Sequence, residues 1–167
     1  VSEVLTIKQA KAAGFRFGGA SEVNANSKDL ADHPKGVWTL PPSLALKDGS
    51  PYMVFGTPGG DQQDQWSLHL FLRHVHFGLN LQEAIDAPGF STAHFPNSFY
   101  PRETDIGHLA VEGRFPKETI DELLKKGHKV SVDSDWSLGR MTAASMENGI
   151  LKGAANPRFM QGYAIGR

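Results

Sequence analysis

Apolar and polar positions change their rhythm several times along this chain, and each change marks an element. Residues 43–46 and 52–57 are short apolar runs flanking Lys47-Asp48-Gly49-Ser50. Asp-Gly between such runs predicts a hairpin, because both central residues tolerate positive φ. Over residues 62–77 the period becomes helical. Leu68, Leu72, Val75 and Leu79 recur at that spacing, and Trp66 and Leu70 widen the apolar face. Asp61 is placed to cap this helix, and Asp64 sits near its positive end. A second, short helix is expected to open at Asn80, with Glu83 completing a capping box, and to stop at Pro88. A third has Pro116 in its first turn and closes at Gly127, with Asp121/Lys125 and Glu122/Lys126 at i,i+4. Residues 129–132, 140–146 and 150–155 read as strands, the last two joined through Asn148-Gly149. Upstream, residues 7–13 suggest a short helix ended by Gly14, and residues 20–35 read as loop. Hairpins interleaved with helices predict an α+β layered fold with a largely antiparallel sheet.

At 167 residues the chain is one domain or most of one. A net charge of -1 argues against a nucleic-acid or anionic-membrane partner. No apolar run has the length of a membrane span, and the first residues show no signal-peptide pattern. With no cysteine, disulfides, thiol nucleophiles and thiolate metal sites are excluded, while the compartment stays open.

Histidines 69, 74 and 76 share one helix, yet no two stand at i,i+3 or i,i+4, and Arg73 would repel a cation. Neither a metal site nor a cofactor is therefore expected. His69, Arg73 and His76 are expected on the solvated or interface side of the helix. Asp133 and Asp135 read as solvated turn residues; Arg158 either holds a carboxylate ligand or pairs with a nearby acid.

The chemistry-bearing stretch is Gly56-Thr57-Pro58-Gly59-Gly60. Two residues without Cβ at a strand-to-helix junction let a substrate atom approach the backbone closely. Amide N–H groups at a helix start then face any negative charge placed there, as an oxyanion hole requires. A tight turn that packs the helix on its strand would use the same residues. No G-x-S-x-G elbow, Walker A loop or G-x-G-x-x-G is present, and the glycine-rich residues 14–19 lack a flanking strand and helix.

Four ordered motifs go further. Gly56-Thr57-Pro58-Gly59-Gly60, the run 78–88 (Gly78 to Pro88), Val111-Glu112-Gly113-Arg114-Phe115 and Gly153-Ala154-Ala155-Asn156-Pro157-Arg158 together resemble the small-subunit part of gamma-glutamyltransferases. The resemblance runs from about Leu40 to Arg167. It implies residues 40–167 as a small-subunit-like domain and residues 1–39 as a divergent or incomplete segment.

That resemblance implies a four-layer αββα Ntn-hydrolase sandwich, of which this would be the small-subunit portion. In such enzymes a precursor cuts itself, and the new N-terminal threonine attacks a gamma-glutamyl amide with its own α-amine as base. The implied partners are a gamma-glutamyl peptide substrate and the large-subunit portion of the same precursor, with a homo-oligomer also open. Gly59 and Gly60 match the oxyanion motif. Thr39 matches one of the two hydroxyls that hold the substrate carboxylate, and Trp38 replaces the other.

The chain departs from the family elsewhere. Position 1 is Val1, Thr6 is followed by Ile7-Lys8, and Thr92-Ala93-His94 lies after the glycine pair, so the nucleophile is not evident. Gly89 follows Ala-Pro where an arginine is common. A catalytically silent interaction domain, or an acylase of the same fold, are the alternatives this reading carries.

Overall fold

The computed structural model describes residues 43–160 and 162–165, together with the backbone of residues 15–17. Thr39, Trp38 and the helix expected over residues 7–13 lie outside the described residues. Within them the order is β1 (Phe15–Phe17), β2 (Ser43–Lys47), β3 (Ser50–Gly56), α1 (Gln62–Phe71), α2 (Leu81–Asp86), β4 (Phe90–Thr92), β5 (His108–Glu112), α3 (Lys117–Lys125), β6 (Lys129–Asp133), β7 (Thr142–Glu147) and β8 (Ile150–Ala155).

Both hairpins form as their dipeptides predict, with Asp48, Gly49, Asn148 and Gly149 all at positive φ. They join into one antiparallel sheet in the order β1-β2-β3-β7-β8. Ala45 pairs with Met53 but Leu46 pairs with Pro51, so Tyr52 is the extra residue of a bulge. The bulge leaves the Tyr52 hydroxyl bonded to Glu147 at 3.0 Å and to His74 at 2.9 Å. A second sheet, β4-β5-β6, was not foreseen as a unit. Its β5 and β6 run parallel, joined through α3 as a βαβ crossover.

One face of the five-stranded sheet is covered. Ala45, Met53, Phe55, Ala143 and Ala154 pack under Leu70 and Phe71 of α1 and Leu81, Ala84 and Ile85 of α2. The other face is open over most of its width among the described residues, with Ala164 approaching it at β8, 3.5 Å from the position of a methyl on Gly153. There Leu44, Val54, Ala144 and Gly153 stand in register across four strands, and Met146 and Leu151 form a second row. All six are exposed.

Four expectations about the helices are corrected. Asp61 holds the N-cap position of α1 but makes no side-chain cap bond: its φ and ψ are already helical, and its carboxylate instead accepts the Ser98 N–H at 2.6 Å. Beyond Phe71 the helix continues to His76 but widens to π geometry from Leu72, with Phe77 N–H donating to Leu72 O at 3.0 Å. The fully buried residues are Leu70 and Phe71 rather than Leu68 and Leu72, because α1 packs against both β3 and β4. Finally, Asp121 of α3 pairs backwards with Lys117 at 2.6 Å rather than forwards with Lys125. The capping box at Asn80 and Glu83 forms as expected, each side chain accepting from the other's backbone N–H at 2.9 Å.

Candidate active site

Strand β3 ends at Gly56, whose partner Thr142 is the last residue paired with it, so Thr57 to Gly60 lie beyond the sheet ladder. Thr57 is buried and anchors the loop. Its Oγ1 accepts the Arg140 N–H at 3.0 Å and donates to Pro58 O at 2.9 Å. Gly59 follows at φ 142 and Gly60 at φ 69.

The two glycines are required for different reasons. A methyl on Gly59 would fall 2.6 Å from Trp66 Cζ3, a distance carbon atoms do not tolerate. Gly60 has more room, its methyl position lying 3.4 Å from Phe99 Cε2, and there positive φ selects glycine. Gly60 O accepts the Gln63 N–H at 3.0 Å as α1 begins. The pair is thus partly open to solvent at a helix start, where amide N–H groups and the helix dipole favour an anion.

A loop from residue 93 to 107 stands beside this pair. The Asp61–Ser98 bond ties it down, and Asn97 Oδ1 accepts the Phe99 N–H at 2.8 Å. It nonetheless presents Phe95, Phe99 and Tyr100 at 74%, 64% and 94% exposure. Thr92, at the end of β4, is engaged structurally, its hydroxyl donating to His108 O at 2.8 Å.

Behind Trp66 lies a small cavity of about 20 Å³, lined in part by His69, Arg73, Gly139, Asn156 and Arg158. Of the solvated or interface side expected for His69 and Arg73, the solvated half is corrected: both side chains pack against neighbouring elements. The His69 ring is stacked on Phe90 with centroids 3.9 Å apart. Burial, and secondarily the charge of Arg73, lower its pKa to about 3, so it is neutral. Arg73 turns inward and donates to Pro88 O at 2.6 Å and to Ala87 O at 3.3 Å. His76 is exposed, as expected.

Arg158, left open by the sequence, pairs with an acid. Its Nε and Nη2 donate to the two Glu112 carboxylate oxygens at 2.6 and 2.7 Å. Glu112, at 0% exposure, also accepts from Arg114 at 2.7 Å, Gly89 N–H at 2.8 Å and Leu138 N–H at 2.9 Å. Burial raises the Glu112 pKa, yet the bonds from Arg158, the two amides and Arg114 outweigh it and hold the group at about 2.

Two arginines on one carboxylate are tolerated because both also serve the end of α2. Arg158 donates to Ile85 O at 3.0 Å and Arg114 to Asp86 O at 2.7 Å, meeting carbonyls that no helical partner reaches. Gly89 fits here because a methyl on it would lie 2.7 Å from Leu138 O.

Sequence reasoning named Glu112 and Arg158 within motifs but missed their pairing. Two residues 46 positions apart leave no local signature of contact. It also missed Trp66 as the floor under Gly59, reading it only as part of an apolar face. Among the described residues no group of three or more His, Asp or Glu side chains stands close enough to hold a metal ion. No described helix is long and apolar enough to cross a membrane.

Comparison with known proteins places this geometry. The glutathione hydrolase-like YwrD proenzyme of Bacillus subtilis is 34% identical over 131 residues, covering 77% of this chain and 24% of that protein. The structure of LmbA2991HD is 53% identical, with a TM-score of 0.71 over 75% of this chain and 23% of that one. A cephalosporin acylase from Bacillus halodurans is 30% identical, with a TM-score of 0.60 over 70% of this chain and 20% of its own. These likenesses bear out the α+β Ntn-hydrolase fold. The chain spans about a quarter of the length of the curated relatives it matches. The family model described as gamma-glutamyltranspeptidase matches residues 19–166. Because that match runs through nearly the whole sequence, from before the first hairpin to beyond Arg158, the chain belongs to the gamma-glutamyltranspeptidase family.

Proposed function

We propose that this chain contributes the oxyanion site of an enzyme that hydrolyses or transfers gamma-glutamyl amides. A threonine hydroxyl bearing a free α-amine attacks the amide carbonyl, its proton passing to that amine. The carbonyl oxygen becomes an oxyanion held by the Gly59 and Gly60 amides. Collapse expels the leaving amine with the proton, and water or an acceptor amine then releases the glutamyl group. Thr39 would hold the substrate carboxylate.

The observation that carries this reading is the backbone of Thr57 to Gly60. It leaves the sheet ladder, opens a helix, and allows no side chain at Gly59. The open sheet face is assigned to the large-subunit portion, whose own sheet would complete the sandwich.

The test is turnover of a chromogenic gamma-glutamyl anilide by the complete protein and its Gly60→Val variant. A loss of about 10²-fold or more in kcat is expected. Unchanged turnover would remove the role from the glycine pair, and absence of turnover in the parent would favour a silent domain. An acylase acting on a bulkier acyl group is the second reading. It is favoured by the likeness to the cephalosporin acylase and by the exposed Phe99 edge against Gly60. Cleavage of an aromatic acyl anilide in preference to the glutamyl one would select it.

A further inference from the structure

We propose that Trp66 is the positioning residue of this site, its indole fixing the height of the Gly59 amide; the proposal rests on the oxyanion reading above. The indole touches two loops with different parts of its surface. Its outer ring, Cζ3, Cη2 and Cε3, lies against Gly59, with 2.6 Å from Cζ3 to the position of a methyl there. Its inner edge, Cγ, Cδ2 and Cβ, lies against Gly139, with 3.3 Å as the nearest such distance.

Both contacts are made to glycines at positive φ, Gly59 at 142 and Gly139 at 82. Each backbone therefore rests on the ring with nothing between. The same loops are also joined by the bond from Arg140 N–H to Thr57 Oγ1. The glycine loop is thus held by both a ring contact and a hydroxyl bond.

Trp66 is held by packing, its buried indole N–H having no hydrogen-bond partner among the described residues. It sits one turn into α1, packs on the buried core, and shares the wall of the cavity with His69, whose ring is stacked on Phe90. A flat ring beneath the loop matters for an oxyanion site, because donors must meet the developing charge within a few tenths of an ångström. Misplacement by about 1 Å can cost about 10²-fold in rate.

The division of the ring provides the experiment. Trp66→Phe keeps Cβ and Cγ beneath Gly139 and removes the outer ring beneath Gly59. In the complete protein this variant should lower kcat for a gamma-glutamyl anilide by about 10- to 100-fold, with KM changed less than about twofold. A crystal structure of the variant should show the Gly59 peptide displaced and Gly139 in place. A Trp66 that only fills the core would lower thermal stability while leaving kcat and Gly59 where they are, and that result overturns the proposal. Should Trp66→Phe fail to fold, Trp66→Met, whose flexible chain fills irregular space, carries the same measurements. An inactive parent protein refutes the oxyanion reading itself. An active parent with an unaffected Trp66 variant refutes only the positioning role.

Discussion

Replacing Glu112 by Gln keeps the shape of the side chain and removes its charge, which makes it the sharpest probe of the buried arginine cluster. The carboxylate accepts five hydrogen bonds, three of them from Arg158 and Arg114. An amide in its place keeps one acceptor oxygen and turns an NH2 toward donors. Two neighbours on Oε1, Arg158 Nε and Leu138 N–H, or three on Oε2, would then face another donor.

Removing one partner of a buried ion pair costs about 3–5 kcal/mol. The titration gives an independent figure. Glu112 moves from an ordinary 4.5 to about 2 in the fold. At about 1.4 kcal/mol per unit, that difference is worth roughly 3 kcal/mol. Because the folded pKa is depressed, this stability is present above about pH 4.5 and is lost as pH falls toward 2. Protonated Glu112 resembles glutamine, so the gap between parent and variant should narrow in that window.

The assay is equilibrium denaturation in urea at pH 7 and at steps down to pH 3, followed by tryptophan fluorescence. Trp136, with Arg114 3.5 Å over its ring, reports on the cluster directly. A loss under about 1 kcal/mol at pH 7, or a gap that stays constant to pH 3, would refute the account of a cluster held by charge.

His69 is neutral in the fold with a pKa near 3, so stability should be complete above about pH 6.5 and fall by about 1.4 kcal/mol per unit below it. His69→Phe should flatten that slope between pH 6.5 and 4.5, and an unchanged slope would contradict the assignment. Asp61→Ala should free the loop at Ser98 and speed chymotrypsin cleavage at Phe99 and Tyr100. If instead helix α1 loses stability with no new cleavage, Asp61 acts as a cap after all. Asn80→Ala breaks the capping box and should cost about 1 kcal/mol, read as a shift in urea midpoint. The open face predicts self-association of this chain, which Val54→Asp should suppress; sedimentation of the unmodified chain as a clean monomer at high concentration would contradict this.

Local signals were legible where the physics is local. The Asp48-Gly49 and Asn148-Gly149 turns, the Asn80 capping box and the Gly59-Gly60 junction each depend on residues within a few positions, and each stands where the sequence puts it. What depends on distant partners was hidden. Helix α1 buries Phe71 instead of Leu68 because β4 arrives on its second side, and β4 is a three-residue strand with no period to read. Asp61 abandons its helix for Ser98, 37 residues away. Arg73 carries a charge that suggests solvent, yet it turns inward because the carbonyls closing α2 need donors. The Thr39 assignment lies outside the described residues.

Exposure is a poor guide to tolerance on the uncovered side of the five-stranded sheet. If a second layer seats there, Val54 and Leu44 become interior positions, and a charge at either would leave the fold of this chain intact and keep its copies apart, but would be ruinous in the assembly. Mutational sensitivity would then run opposite to accessibility across those four strands. A scan of the same substitutions in both settings would map the seam between the two layers residue by residue.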